Sequence, residues 1–339
     1  MVEFNRETDV DRRTLLKYAG SCIAISPWMQ ASGAEAYPSR PIRIVVSSGH
    51  TSPTDFAGPV VAELLSKRFG QPTTVENRPG AGGMVGLQHV AQSPADGYTL
   101  ATGGLGNHVI PPVVIKNLPF DVIASFVPIA QVAEFVNVLV VSTESPLNSV
   151  QDLLREAKAD PGKRLNYASV GAGTSSHLTS ELFALQANTQ FVHVPYRKAS
   201  ESMIDVANGN VAFSFANLPA AMPLLRSNKL KALGVSSAYK SKHLPGVATL
   251  QEQGVKDFDV SSWMGIYGPA GMPEDIVRLL GDTISEGLKA DEYQKKLSEA
   301  GCEPNTLASE AFLKRNRAEI ARWSEVVKKA GISVNFGGS

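Results

Sequence analysis

Apolar residues along this chain fall into short extended runs that alternate with stretches of helical period, and loops of small or hydroxyl residues mark the junctions. The stretch Arg164–Leu185 shows the unit most fully. Leu165–Ser169 predicts a short buried strand, Gly171 and Gly173 permit dihedrals that other residues avoid, and Leu178, Leu182 and Leu185 repeat at helical spacing. Thr174, Ser175 and Ser176 then stand at a helix N-terminus, where unpaired N–H groups, the positive end of the helix dipole and three hydroxyls form a socket for an anion. Ser and Thr are also the preferred N-caps of any helix, so the loop alone does not establish a ligand.

The same pattern recurs. Ile42–Val46 is a β-branched run, followed by the polar loop Ser47–Thr54 and helical spacing at Phe56, Val60, Val61, Leu64 and Leu65. Thr73–Glu76 is extended, Asn77–Gly83 is turn-rich, and Val85–Ala91 predicts a helix. Tyr98–Thr102 runs into the small-residue loop Gly103–His108. Further strands are predicted at Val136–Ser142, Phe191–Val194, Val211–Phe215 and Leu230–Ser236, with helices opening at Ser149, near Met203 and at Pro219. Alternation of this kind implies mostly parallel sheets with helices on both faces, which bind ligands at the carboxyl ends of their strands. Val260–Gly268 reads as one long extended segment. After it comes a purely helical tail, with helices near Glu274–Leu288, Asp291–Ala300 and Ser309–Lys329, expected to pack back on the first domain.

A length of 339 residues suits two domains, and 43% hydrophobic with 19% charged residues suits a soluble globular protein. Lys plus Arg balances Asp plus Glu at 32 each, so no basic field attracts nucleic acid or an anionic membrane, and a small ligand is the default partner. Residues 1–36 read as a cleaved export signal of the twin-arginine kind: Arg12-Arg13 precedes an apolar run that continues through Ile23–Met29, and Ala34-Glu35-Ala36 offers the small-x-small cleavage pattern. Removing its four basic and five acidic residues from 32 of each leaves 28 and 27. Cys22 leaves with the signal, so Cys302 has no intrachain disulfide partner. No later stretch reaches the roughly 18 apolar residues of a membrane span. The expected mature protein is periplasmic and not membrane-embedded.

Catalytic signatures are absent. The chain has no H-E-x-x-H, no G-x-S-x-G and no Walker loop, and Gly171-x-Gly173-x-x-Ser176 lacks the third Gly or Ala of a dinucleotide loop. The six histidines lack paired ligand spacing, so neither a metal nor a cofactor is expected. His50, His108 and His177 fall in or beside strand-end loops and read as solvated, with His50 the best exception. Trp263 reads as core. Arg197 and Lys198 are either a counter-charge for a carboxylate or a solvated helix start.

Several segments resemble the Bug family, the extracytoplasmic solute receptors of tripartite tricarboxylate transporters. They are Tyr37–Arg43, Glu76–Gly83, Asp96–Leu100, Leu165–Ser169, Gly173–Leu178, Val192–Tyr196 and Ser261-Ser262-Trp263, in the family's order across residues 37–335. The resemblance implies an α/β, periplasmic binding protein-like fold, with two doubly wound domains joined by a hinge and a ligand cleft between them. Its domains would be 37–138 plus 263–339, and 139–262. It implies a receptor, not an enzyme, that binds a small organic carboxylate and delivers it to membrane permease subunits. Ser47 to Asp55, including Ser48, His50, Thr51 and Ser52, would supply the grip of the first domain, joined by Asn107. Ser169, Thr174, Ser175 and Ser176 would supply that of the second, with Tyr196 and Asn217 at the rim. Two departures from the family pattern matter: Ser47–Asp55 replaces a Gly-rich loop, and Ala216 replaces an Asp able to hold a ligand amino group. An amino acid therefore fits poorly, and a di- or tricarboxylate or an aromatic acid fits better. A sensor subunit of a two-component system would share such a cleft. An enzyme using His50 or His177 as base is disfavoured, because the sequence supplies no orienting partner for either.

Overall fold

The computed structural model describes residues 37–47, 53–118, 120–159 and 164–335. In chain order the elements are β1 (Ile42–Val46), α1 (Pro53–Phe69), β2 (Thr73–Asn77), α2 (Met84–Ala91), β3 (Thr99–Gly104), α3 (Pro111–Val114), β4 (Ile115–Lys116) and β5 (Phe126–Ser142). There follow α4 (Val150–Ala159), β6 (Asn166–Ser169), α5 (Ser175–Gln186), β7 (Val192–Pro195), α6 (Ala199–Ala207), β8 (Phe213–Asn217), α7 (Leu218–Arg226) and β9 (Leu230–Val235). The chain closes with β10 (Ser261–Pro269), α8 (Glu274–Gly287), α9 (Asp291–Glu299), β11 (Leu307–Ala308), α10 (Ser309–Ala330) and β12 (Val334–Asn335).

The strands run β2-β1-β3-β10-β5-β8-β6-β7, with β9 and β11 also on β5, while β4 and β12 form a small separate pair. The outer strands pair in parallel on each side: β1 with β2 and β3, and β6 with β7 and β8. At the centre the pairing is antiparallel, where β10 joins β3 to β5 and β5 meets β8 and β9. The parallel sheets expected from the alternation are therefore two wings on an antiparallel middle. They make two α/β lobes of periplasmic binding protein-like fold, linked by crossing strands.

β5 is the longest strand, and it serves both lobes. It pairs with β10 through Val136, then with β8 and β9 from Asn137 onward. Its first half carries Gln131 and Glu134, both buried. Arg315 of α10 satisfies them, pairing with Glu134 Oε1, donating to Gln131 Oε1 at 3.0 Å and reaching Ser261 Oγ on β10 at 3.1 Å. One guanidinium thus ties the two crossing strands together from behind.

The tail divides its packing. Leu280 and Ile284 of α8 and Leu297 of α9 bury against Ile42, Ile44, Val61 and Leu65 of the first lobe, as expected. α10 departs from the expectation, because its stripe of Phe312, Trp323, Val326 and Val327 packs against β5 and α3 and also reaches α5 of the second lobe. At the end of α9, Cys302 is buried and free, and burial pushes its thiol up to about 12. Among the described residues no helix is long and apolar enough to cross a membrane.

Candidate functional site

A cavity of about 260 Å³ opens where the strand ends of the two lobes face each other across the crossing strands. From the first lobe it takes Ser47 after β1, Gly80, Gly82 and Gly83 before α2, and Leu105–Asn107 after β3. From the second it takes Val170, Thr174, Ser175 and Asn217; Phe135 of β5 and Ser262 and Trp263 of β10 complete it.

The wall of the first lobe is built by close approach. Residues Leu105–Val109 form a single π-helical turn that turns Asn107 back on its own strand. Asn107 Oδ1 accepts from the Gly104 amide at 2.7 Å, and Asn107 Nδ2 donates to Ser47 Oγ at 2.9 Å. Gly83, at φ 96°, permits this packing: a Cβ there would stand 3.1 Å from Ser47 Oγ in a backbone conformation that side chains disfavour.

The opposite wall is the predicted socket. Gly171 and Gly173 adopt φ 118° and 75°, and Thr174 caps α5 by accepting from the His177 amide. The amides of Ser175 and Ser176 make no hydrogen bond among the described residues, as the first turn of a helix dictates. The hydroxyls differ from the expectation that all three would be free to donate. Thr174 Oγ1 donates to Gly171 O at 2.7 Å, and Ser176 Oγ accepts from the Val170 amide at 3.2 Å while lying 3.1 Å from Thr174 Oγ1. Among the described residues Ser175 alone of the three keeps an uncommitted hydroxyl, and Ser175 lines the cavity.

Behind the socket lies an aromatic stack. The ring of His177 rests on His193 at 4.1 Å, and His177 Nδ1 accepts from the Gly173 amide at 3.0 Å. Burial, followed by the neighbouring His193, lowers His177 to about 4, so it stays neutral. His108, directly after Asn107, is fully enclosed and stacked on Tyr267 at 3.7 Å, and burial lowers it to about 3. Neither histidine is the solvated loop residue that its position in the sequence indicated.

Ser47, Asn107, Thr174, Ser175 and Asn217 come together on this cavity, while Ser176 faces a second one that shares Val170 and Asn217 with the first. Ser169 and Tyr196 line neither. Ser169 Oγ is bound to His193 Nε2 at 2.6 Å, and the Tyr196 hydroxyl donates to Asp205 Oδ2 at 2.6 Å. Ser48, His50, Thr51 and Ser52 lie outside the described residues. Sequence reasoning missed Phe135, the three glycines before α2 and Ser262, whose buried hydroxyl makes no hydrogen bond among the described residues. Its one signal was a hydroxyl residue within an apolar extended run. Trp263 is core, as read, and also borders the cavity.

Two α/β lobes, crossing central strands and a cavity between opposed strand ends define a solute-binding protein. Among the described residues no group of three His, Cys, Asp or Glu residues is placed to hold a metal. The chain belongs to the tripartite tricarboxylate transporter family of receptors, whose profile matches residues 59–332. These are receptors and not enzymes. The chain is 32% identical to the protein BugT of Bordetella pertussis over 94% of its own length and 97% of the relative's. Among solved structures it resembles Rpa4515 of R. palustris with adipate, at 33% identity and a TM-score of 0.81 over 88% of this chain and 99% of that one. It also resembles MatC of Rhodopseudomonas palustris with bound malate, at 27% identity and a TM-score of 0.75 over 86% and 100%.

Proposed function

We propose that this protein is a periplasmic receptor that binds a small organic carboxylate between its lobes, closes around it by movement of the crossing strands, and delivers it to the membrane permease of its transporter. The domains would be 37–138 with 263–339, and 139–262; the change of partner along β5 between Val136 and Asn137, two residues before that boundary, supports the division. One observation carries the reading. The Ser175 amide and hydroxyl, both without a hydrogen-bond partner among the described residues, stand at a cavity that no charged residue lines among the described residues. Neutral, oriented donors of this kind hold a carboxylate without a competing internal ion pair. Ser47, Asn107 and Asn217 would supply polar contacts from the facing strand ends, and contact with both lobes gives a ligand the differential affinity that closure requires. The adipate and malate bound by the two structural relatives fit the same chemistry.

Titration calorimetry of the purified protein against C3–C8 mono- and dicarboxylates, citrate, benzoate and phthalate tests this. Saturable binding of at least one acid, weakened at least tenfold by Ser175→Ala together with Asn217→Ala, is expected. Silence across the panel would sink it.

A further inference from the structure

The neighbouring cavity, about 280 Å³, shares Val170 and Asn217 with the first, so a ligand passing over those two residues reaches both. Its walls include Met203, Phe215 and Ala216, a surface for a methylene stem or a ring edge. Two hydroxyls that line it have already spent their protons. Ser202 Oγ donates to Ala199 O at 2.9 Å, and Ser214 Oγ donates to Ala168 O at 2.8 Å. Ser176, Asn217 and Arg197 remain to meet a polar ligand group, and of these Arg197 alone carries a charge.

Arg197 is the one charged residue lining either cavity among the described residues. Its neighbours are engaged: Lys198 pairs with Glu201 at 3.9 Å, and the Tyr196 hydroxyl is bound to Asp205. Arg197 makes no ion pair among the described residues. A guanidinium presents its N–H groups in a fork that matches a carboxylate, and among the described residues no internal carboxylate competes. We propose that this second cavity is a subsite for a second anionic group, with Arg197 as its counter-ion, so that the preferred ligand is an amine-free dicarboxylate with an apolar stem. The proposal rests on the receptor reading above and adds to it the residue that sets specificity. A ligand ammonium would find no carboxylate partner on the described walls of either cavity.

The test is calorimetry with C4–C8 α,ω-dicarboxylates, each against the monocarboxylate and the ω-amino acid of the same chain length. For at least one length the dicarboxylate should bind at least tenfold more tightly than both matched analogues. Arg197→Gln should lower dicarboxylate affinity at least tenfold and leave the monocarboxylate within twofold, and Arg197→Lys should restore part of the loss. Arg197 is solvent-exposed, so the fold should survive, and equal melting temperatures check this. Equal affinity for mono- and dicarboxylates at every length, or a parallel loss of both in Arg197→Gln, overturns the subsite and leaves the receptor standing. Failure of every acid to bind the unaltered protein overturns both.

Discussion

Asn107 Nδ2 donates to Ser47 Oγ at 2.9 Å, joining two residues 60 positions apart that stand just beyond the ends of β3 and β1. With the Gly104 amide held by the same side chain, one amide group fixes the wall of the cavity contributed by the first lobe. Asn107→Ala leaves a buried hydroxyl and a backbone N–H without this partner and should cost about 1–3 kcal/mol. Asn107→Asp keeps both hydrogen bonds feasible but puts a negative charge beside a bound anion. It should melt closer to the unaltered protein in a thermal scan and yet bind carboxylates at least tenfold more weakly in calorimetry.

Thr174 and Ser175 are neighbours with opposite predicted phenotypes. Thr174 is the cap of α5 and its proton is committed to Gly171 O, so Thr174→Ala should lower stability by about 1 kcal/mol. Ser175 has no such role, and Ser175→Ala should leave the melting temperature unchanged while weakening ligand binding several-fold. Melting and calorimetry on the two variants separate the roles. A large stability loss in Ser175→Ala would show that its hydroxyl is structural.

The Arg315–Glu134 pair is mostly buried, with side-chain exposures of 18% and 8%. Arg315→Met strands the Glu134 carboxylate among buried groups and should cost about 3–5 kcal/mol. Adding Glu134→Gln removes the stranded charge and should recover part of that loss. Chemical denaturation of both variants measures the difference; a double variant less stable than the single one would contradict the assignment.

Acid should destabilise the fold through its buried histidines. His108 is held neutral with its value lowered to about 3, whereas in the unfolded chain it titrates near 6.5. Between those values the unfolded chain carries a proton that the folded one lacks, so stability is complete above about pH 6.5 and falls as the pH drops. His177, lowered to about 4, acts in the same direction over a narrower window. Each contributes a slope approaching about 1.4 kcal/mol per pH unit inside its window. Melting temperatures measured from pH 7 to 4.5 should fall, and His108→Phe should flatten the slope whatever it does to the absolute value.

Local chemistry was legible in the sequence, and long-range pairing was not. The β6 strand, the positive-φ glycines and the capped start of α5 followed from residues within one short stretch. β5 was read only from Val136, because Pro128, Gln131 and Glu134 make its first half look unlike a buried strand. The group that makes Glu134 tolerable there is Arg315, 181 positions further on. The hydroxyl residues of the socket were found but their roles were not. Which hydroxyl is free depends on hydrogen bonds to Gly171 O and the Val170 amide, and these exist only once the loop has closed. Ser262 was passed over for a similar reason, since an extended apolar run gives no sign of which neighbour will face a cavity.

The packing that encloses Cys302 also decides how this molecule can be watched. A thiol held protonated and away from solvent gives a maleimide dye no native target among the described residues. In the chain without residues 1–36, which hold Cys22, cysteines introduced at Val85 on α2 and Ile204 on α6, both well exposed and on opposite lobes, would then carry donor and acceptor fluorophores. The distance between them would report closure as an optical signal, making the protein a reagentless sensor for any ligand that draws the lobes together.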